Sequence, residues 1–334
     1  PVKGRIAVTG FRVGELLEQP NLGSVSCEVG LNGVVGKGLI DARVDGSVSQ
    51  LEFNGYDYDS LRFGGRLTEK TFNGHVRADG PALRFDFQGE VGFNPERPHY
   101  DFDLDLIHAD LARMHLNRRD SVSVLSALVE ARASGRTLDD LNGKVTVGDV
   151  VYRYNADTLR TTRLTLDGQN SAGSKSLSLQ SEFADATFRS RTDYKTVFEY
   201  LRSSLEKYIP LLYDERKARK RAAGAVSVVD DYSVLSVDVK HFTPVADAVA
   251  DGLQIADGSQ LRLLFNPAND KLSLKATSEY IERERMLATR LNLNATNRGD
   301  SLSVYLRSED FYVGTFHMPQ LSVMGGARSD RLRL

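Results

Sequence analysis

The sequence predicts a mainly β protein: a long antiparallel sheet curled about an apolar face, a groove-like fold with amphipathic helices inserted in it. Three observations carry this expectation. Leu83, Phe85, Phe87, Val91 and Phe93 are followed, after Pro95 and Pro98, by Tyr100, Phe102, Leu104 and Leu106, with Arg84, Asp86, Gln88, Glu90 and then Asp101, Asp103, Asp105 between them. This period-two alternation belongs to a strand covered on one side and wet on the other. Turn dipeptides (Asn32-Gly33, Asn54-Gly55, Asn73-Gly74, Asp79-Gly80) recur along the first part of the chain, so it reverses direction repeatedly. A 41% hydrophobic fraction over 334 residues supplies a core, yet no apolar run approaches the roughly 18 residues of a membrane-spanning helix.

Taken in order, residues 3–44 give short alternating segments (Ile6, Val8; Val25, Cys27, Val29, Leu31) separated by glycine-rich turns. Strands follow over 48–53, 56–58, 61–67 and 72–78, and then the pair 83–93 and 100–106. Residues 107–116 break the alternation and read as a short helical turn or a crossover. Residues 118–136 read as helical, with Val122, Leu125, Leu128 and Val129 at helix-like spacing. Strands resume at 143–147, 150–154, 159–166, 177–179 and 186–191.

The strongest helix is expected over 192–221. Tyr194, Val197, Phe198, Leu201, Leu205, Tyr208, Ile209 and Leu212 recur at three- and four-residue steps, Thr192 or Asp193 is placed to cap the start, and Pro210 is placed to kink it. Its basic end, Arg216, Lys217, Arg219, Lys220 and Arg221, either complements the helix dipole or forms a patch for a lipid headgroup or a protein partner. Residues 222–230, opening with Ala222-Ala223-Gly224-Ala225, read as a linker. Beyond it 231–334 reads as a second, shorter groove segment, with a short helix over 244–251 bracketed by Thr243, Pro244 and Gly252. The organisation expected is therefore a groove segment over 1–191, the helix, the linker and the second groove segment.

Chemistry is hard to find. The net charge of −2 offers no field for nucleic acid, and none is expected as partner. Cys27, the single cysteine, alternates with Val25, Val29 and Leu31 and reads as a small core group. Asp101, Asp103 and Asp105 start like a calcium loop, but Leu106 and Ala112 stand where its glycine and bidentate glutamate belong. The histidines lack metal-ligand spacing, and nucleophile-elbow and phosphate-loop motifs are absent, so neither metal nor cofactor is expected. Catalysis is the disfavoured class, and the candidate site is the apolar strand face itself: Leu83, Phe85, Phe87, Val91, Phe93, Tyr100, Phe102, Leu104 and Leu106.

Several stretches also carry a resemblance: Gly36-Lys37-Gly38, residues 51–58 (Leu-Glu-Phe-Asn-Gly-Tyr-Asp-Tyr), 61–65, Phe72-Asn73-Gly74, 83–89, Leu138-Asp139-Asp140-Leu141-Asn142-Gly143, 177–186, and Tyr208-Ile209-Pro210. Over nearly its whole length the chain resembles the TamB branch of the AsmA-like superfamily of two-membrane bacteria. The resemblance implies a periplasmic section of a parent anchored in the inner membrane. It implies phospholipid acyl chains as cargo carried between the two membranes, and an outer-membrane barrel assembly protein as a partner reached through other parts of the parent. The start at Pro1 and the alternation still running at Leu334 fit an internal piece of such a chain. Two other readings stand beside it: a scaffold or chaperone module for outer-membrane protein assembly and secretion, and a closed β-sandwich or solenoid adhesin.

Overall fold

The computed structural model describes residues 1–16, 18–36, 39–171, 173–208, 229–249, 252–298, 301–328 and 331–333. The chain is mainly β, and its strand pairings are antiparallel. It divides into two compact units, Pro1–Arg136 with Asn142–Thr165, and Thr137–Leu141 with Leu166–Leu334. The division falls earlier than the expected segment end at 191. The expected linker lies outside the described residues except for Val229 and Asp230.

The first unit is a meander of β1 (Val2–Arg12), β2 (Leu22–Gly36), β3 (Leu39–Phe53), β4 (Tyr56–Tyr58), β5 (Leu61–Thr68), β6 (Thr71–Asp79), β7 (Leu83–Gly92), β8 (His99–Asp110), β9 (Ser123–Ser134) and β10 (Asn142–Tyr154), with a single helical turn α1 (Val13–Leu16) after β1. β5 returns to pair with β3 beside the short β4, and every other strand pairs with the next. Directly opposed residues of an antiparallel pair share a face. The register therefore joins the alternation of separate strands into rows. One row runs Ile6, Val29, Gly46, Phe63, Val76, Phe87, Leu104, Val129, Val147, one residue from each of nine strands. The next row includes Val8, Cys27, Val48, Leu61, Ala78, Phe85 and Leu106. Cys27 thus faces the apolar side between Val8 and Val48, but it is half-buried and not the fully enclosed core group that its alternation suggests.

Two sequence expectations are corrected here. Residues 118–136 are not helical: Ser123–Ser134 form β9, paired on both sides. The helix-like spacing misled because Ala127, Ala131 and Ala133, good helix formers, are the small inward residues of a strand whose larger inward residues are Leu125 and Val129. The break at Ile107 is a β-bulge rather than a helical turn: Ile107 and His108 oppose the single residue Ser126, and pairing resumes at Ala109 with Leu125. Ile107 points outward like Asp105, and the bulge restores Ala109 to the apolar face. The turn itself follows, at 111–116.

Several glycines mark where neighbouring strands approach too closely for a side chain. Gly89 has φ +143, and a Cβ there would lie 2.3 Å from the Asp101 carbonyl oxygen and 2.4 Å from Phe102 Cα. Gly65 and Gly74, opposed to each other, meet the same obstacle. Glycine kinks of this kind are how a sheet acquires curvature.

The second unit holds the end of β11 (Asp157–Ser171), then β12 (Ser174–Ser181), β13 (Ala184–Ser190), β14 (Ser233–Val239), β15 (Gln254–Ile255), β16 (Gln260–Asn266), β17 (Lys271–Arg283), β18 (Met286–Arg298), β19 (Ser301–Val313), β20 (Phe316–Arg328) and β21 (Arg331–Arg333). Helix α2 (Tyr194–Tyr208) follows β13, and α3 (Thr243–Val249) follows β14. As Gly252 predicts, α3 is followed by a left-handed glycine: its φ is +74 and its N–H donates to the Ala246 carbonyl at 3.3 Å. A row again crosses the strands: Leu177, Phe188, Leu235, Leu263, Leu274, Ala295, Val304.

Replacing Gly89 by alanine is expected to destabilise the chain by about 2 kcal/mol or more, through backbone strain and overlap with β8. Gly4, around which a Cβ would meet nothing within 4 Å, is the control: Gly4→Ala should move the denaturant midpoint hardly at all.

Candidate functional site

In the first unit the register assembles the sequence-predicted residues into two groups. Leu83 and Leu106 pack at one end of the sheet with Leu125 around the buried Ala82, Ala109 and Met114, beneath the connector that follows β8. That connector is pinned by polar contacts. Asp120 accepts hydrogen bonds from Asn117 Nδ2 (3.0 Å) and Asn155 Nδ2 (2.9 Å), and Asn117 also donates to Ser123 Oγ and Tyr152 OH. The Asn117 bond, with that from Asn155 and the nearby Arg119 charge, holds the Asp120 carboxyl below its ordinary range.

Phe85, Phe87, Val91, Tyr100, Phe102 and Leu104 lie on the open part of the face and are only half-buried. Phe87 and Phe102 lean together with ring centroids 5.1 Å apart. Phe93 does not join them. β7 ends at Gly92, and Phe93, whose N–H donates to the Lys70 carbonyl at 2.7 Å, turns out to solvent at 46% exposure. Its parity matched the strand, but the chain leaves the ladder one residue earlier, ahead of Pro95.

The residues missing from the sequence-predicted set are the ones that other strands add to the same rows, among them Ile6, Val29, Phe63, Val76, Val129 and Val147. All but Val129, which lies in the segment read as helical, sit in a visible alternation, but only the register places them in the row of Phe87 and Leu104. The buried apolar residues of this unit are chiefly alanines, such as Ala42, Ala78, Ala127 and Ala131. Apart from Val44, Met114 and Tyr154, its large side chains keep contact with solvent, the reverse of an ordinary core.

Charge is confined to the other face. Arg132 bridges Asp101 (2.8 Å) and Asp103 (3.0 Å), Arg66 makes a two-pronged contact with Asp41, and Arg5 reaches Glu28 at 3.1 Å. Hydrogen bonds from Asn73 and His99 hold Glu90 below its usual range. β1 forms an edge: among the described residues it pairs with β2 alone, and Ile6 (54%) and Phe11 (46%) are exposed on it.

The second unit treats its apolar row differently. Tyr194, Val197 and Leu201, one stripe of α2, pack onto Phe188, Phe265, Leu272, Ala295 and Leu302 and their half-buried neighbours. The helix start is held differently from the sequence expectation. Tyr194 N–H donates to the carboxylate of Asp139, while Asp193, placed to cap by sequence, turns to the Lys175 ammonium. Thr192 Oγ1 accepts instead from Val229 N–H at 3.3 Å. Burial, reinforced by the Asp139 charge, pushes the Tyr194 phenol up to about 12. The basic run Arg216, Lys217, Arg219, Lys220 and Arg221 lies outside the described residues, as do Ile209 and Pro210.

Among the described residues no helix is long and apolar enough to cross a membrane. Comparison of the chain with protein-family models, with curated proteins and with solved structures finds no match.

Two outcomes follow for α2. Asp139→Ala should weaken its first turn by about 1 kcal/mol, read as faster amide exchange at residues 194–197. Because the Tyr194 pKa is raised in the fold, its stabilising effect is complete below the ordinary value of 10.0 and is lost as pH rises toward about 12. A tyrosinate titration should therefore show one late-ionising group that disappears in Tyr194→Phe.

Proposed function

We propose that this chain is a periplasmic section of a TamB/AsmA-like envelope bridge, whose apolar sheet face carries phospholipid acyl chains between the inner and outer membranes. The observation that carries the reading is the row through Phe63, Val76, Phe87 and Leu104, which crosses nine strands and whose side chains are half-buried or, at Ile6, exposed. A closed β-sandwich would bury those rings, each such side chain gaining about 1.5–3 kcal/mol from full burial. Acyl chains laid on the face would complete that burial.

The energetics suit a conduit. A methylene leaving water gains about 0.8 kcal/mol, but a lipid arriving from a bilayer has already left water, so its transfer to the face is close to neutral. Cargo then moves along the rows without being trapped. The headgroup needs no dedicated pocket, since it remains in water beside the acyl chains. The parent is anchored in the inner membrane, and a barrel assembly partner is met by other parts of it.

One observation favours the second reading, a scaffold or chaperone for outer-membrane proteins. The open edge of β1, with Ile6 and Phe11 exposed, offers unpaired backbone groups on which a client strand can add.

The test is native mass spectrometry of the chain released gently from a bacterial envelope fraction. Phospholipid is expected bound to the wild type and largely lost from Phe87→Asp and Phe102→Asp, both of which should stay folded because these side chains already touch solvent. A folded wild type that carries no lipid would overturn the conduit. Client strands cross-linked to β1 in that lipid-free protein would establish the scaffold reading instead.

A further inference from the structure

The apolar face of the first unit ends differently at its two rims, because at one of them two distant elements meet over it. We propose that the β3–β4 hairpin tip and the connector between β8 and β9 form a clasp that shuts this rim, so that phospholipid enters and leaves the face across the opposite one. The inference rests on the lipid reading above.

β4 and β5 continue one register along β3 (Phe53 with Tyr56, Leu51 with Tyr58, Val48 with Leu61), interrupted at Asp59 and Ser60, where Ser60 has φ 57. β6 ends at Asp79, whose N–H donates to the Ser60 carbonyl at 3.3 Å, so the hairpin tip runs on past its neighbouring strand. There Tyr56 and Tyr58 pack on Ala82, Ala109 and Met114, which lie before β7, at the end of β8 and on the connector. Three ladder steps separate β5 from β8, about 14 Å at the usual strand spacing. The hairpin tip and the connector bridge them from the two sides.

The connector is built as a flap with fixed roots. Asp110 N–H donates to the Ala82 carbonyl at 2.8 Å and Leu111 N–H to that of Ser123 at 2.7 Å, while Asn117 binds the Asp120, Ser123 and Tyr152 side chains. Its tip meets the hairpin through fewer contacts. Met114, 2% exposed, is the one fully enclosed side chain of residues 111–117. Asn54 Nδ2 donates to the His115 carbonyl at 3.0 Å, His115 Nδ1 lies 3.1 Å from the Asn54 carbonyl oxygen, and the Arg113 guanidinium sits 6.0 Å from the centre of the Tyr56 ring. Both hydrogen bonds are exposed, so water competes for them.

The opposite rim is bordered by the row Ala42, Leu67, Phe72, Val91, Tyr100 and Ala133. Its four large side chains are half-buried, and beyond it Val35 and Phe93 are each 46% exposed. Large apolar groups thus reach water along that rim. At the clasped rim Met114 and the two tyrosines pack against Leu83 and Leu106 instead. An acyl chain approaching from this side has to part the clasp, whereas from the other it meets apolar side chains directly.

The experiment uses the whole chain and a phosphatidylethanolamine with a photoactivatable group on its headgroup, with cross-links mapped by peptide mass spectrometry. Wild type should be labelled at 68–72 and 92–98 and hardly at 54–58 or 111–117. Asn54→Gly combined with His115→Gly removes both hydrogen bonds at left-handed positions (φ 54 and 59) that glycine takes without strain. It should raise labelling of 54–58 and 111–117 by about tenfold, with amide exchange over β5–β9 confirming that the sheet persists. Met114→Ala should do the same by a second route. Equal labelling of the two rims in wild type would overturn the inference and leave the conduit standing. So would a one-sided pattern that both folded variants leave unchanged, since the clasp would then not be what shuts the rim. Labelling of neither rim would overturn both.

Discussion

The structure depends on one constraint: antiparallel pairing in register, repeated strand after strand, so that every inward residue of one strand meets an inward residue of the next. A slip of a single residue between β7 and β8 would send Phe87 and Leu104 to opposite faces and bring the charges of one of the two strands, such as Asp105, onto the apolar face of the other. The hairpin turns, with left-handed residues such as Asn54 and Gly55, hold that register locally. Cross-strand ion pairs on the outer face, such as those of Arg132 and Arg66, agree with it. Exposed pairs of this kind contribute little stability individually. Their repeated placement on one face keeps charge off the other.

From that constraint comes a sheet with a wet side and an apolar side, and the apolar side has to be covered. The second unit covers its row with α2 and buries Phe265, Leu272 and Leu302 almost completely. The first unit buries mostly alanines, and its rings remain in partial contact with water. Solvent contact over so continuous an apolar surface is unfavourable, and the cargo proposed above would relieve it. The functional proposal and the architecture thus share one physical origin, the exposure of large side chains that a register has aligned.

Departures from ideal strands are placed where the sheet needs them. The bulge at Ile107 re-aims Ala109 onto the face at the end where the connector packs, and the bulge at Asp149 (φ 47) does the equivalent on β10. Kinked glycines at Gly65, Gly74 and Gly89 let neighbouring backbones approach within distances that any side chain would forbid. In the second unit Asp139, far from α2 in sequence, supplies the helix cap that Asp193 does not.

Much of this was legible in the sequence. Alternation identified β7 and β8, the inward identity of Phe85, Phe87, Tyr100 and Phe102, and the apolar stripe of α2, because side-chain direction along a strand or helix follows from local geometry alone. Alanine-rich β9 was misread for the same reason, since two periodicities fit a segment in which small residues stand at the inward positions. The point at which Phe93 leaves the ladder, the bulge at Ile107 and the capping role of Asp139 depend on partners distant in sequence. The sequence by itself determined that the chain is an amphipathic β protein with one strong helix. Only the tertiary structure decided which strands share a row and which row the helix covers, because register and docking are set by contacts between segments, and no single segment carries that information.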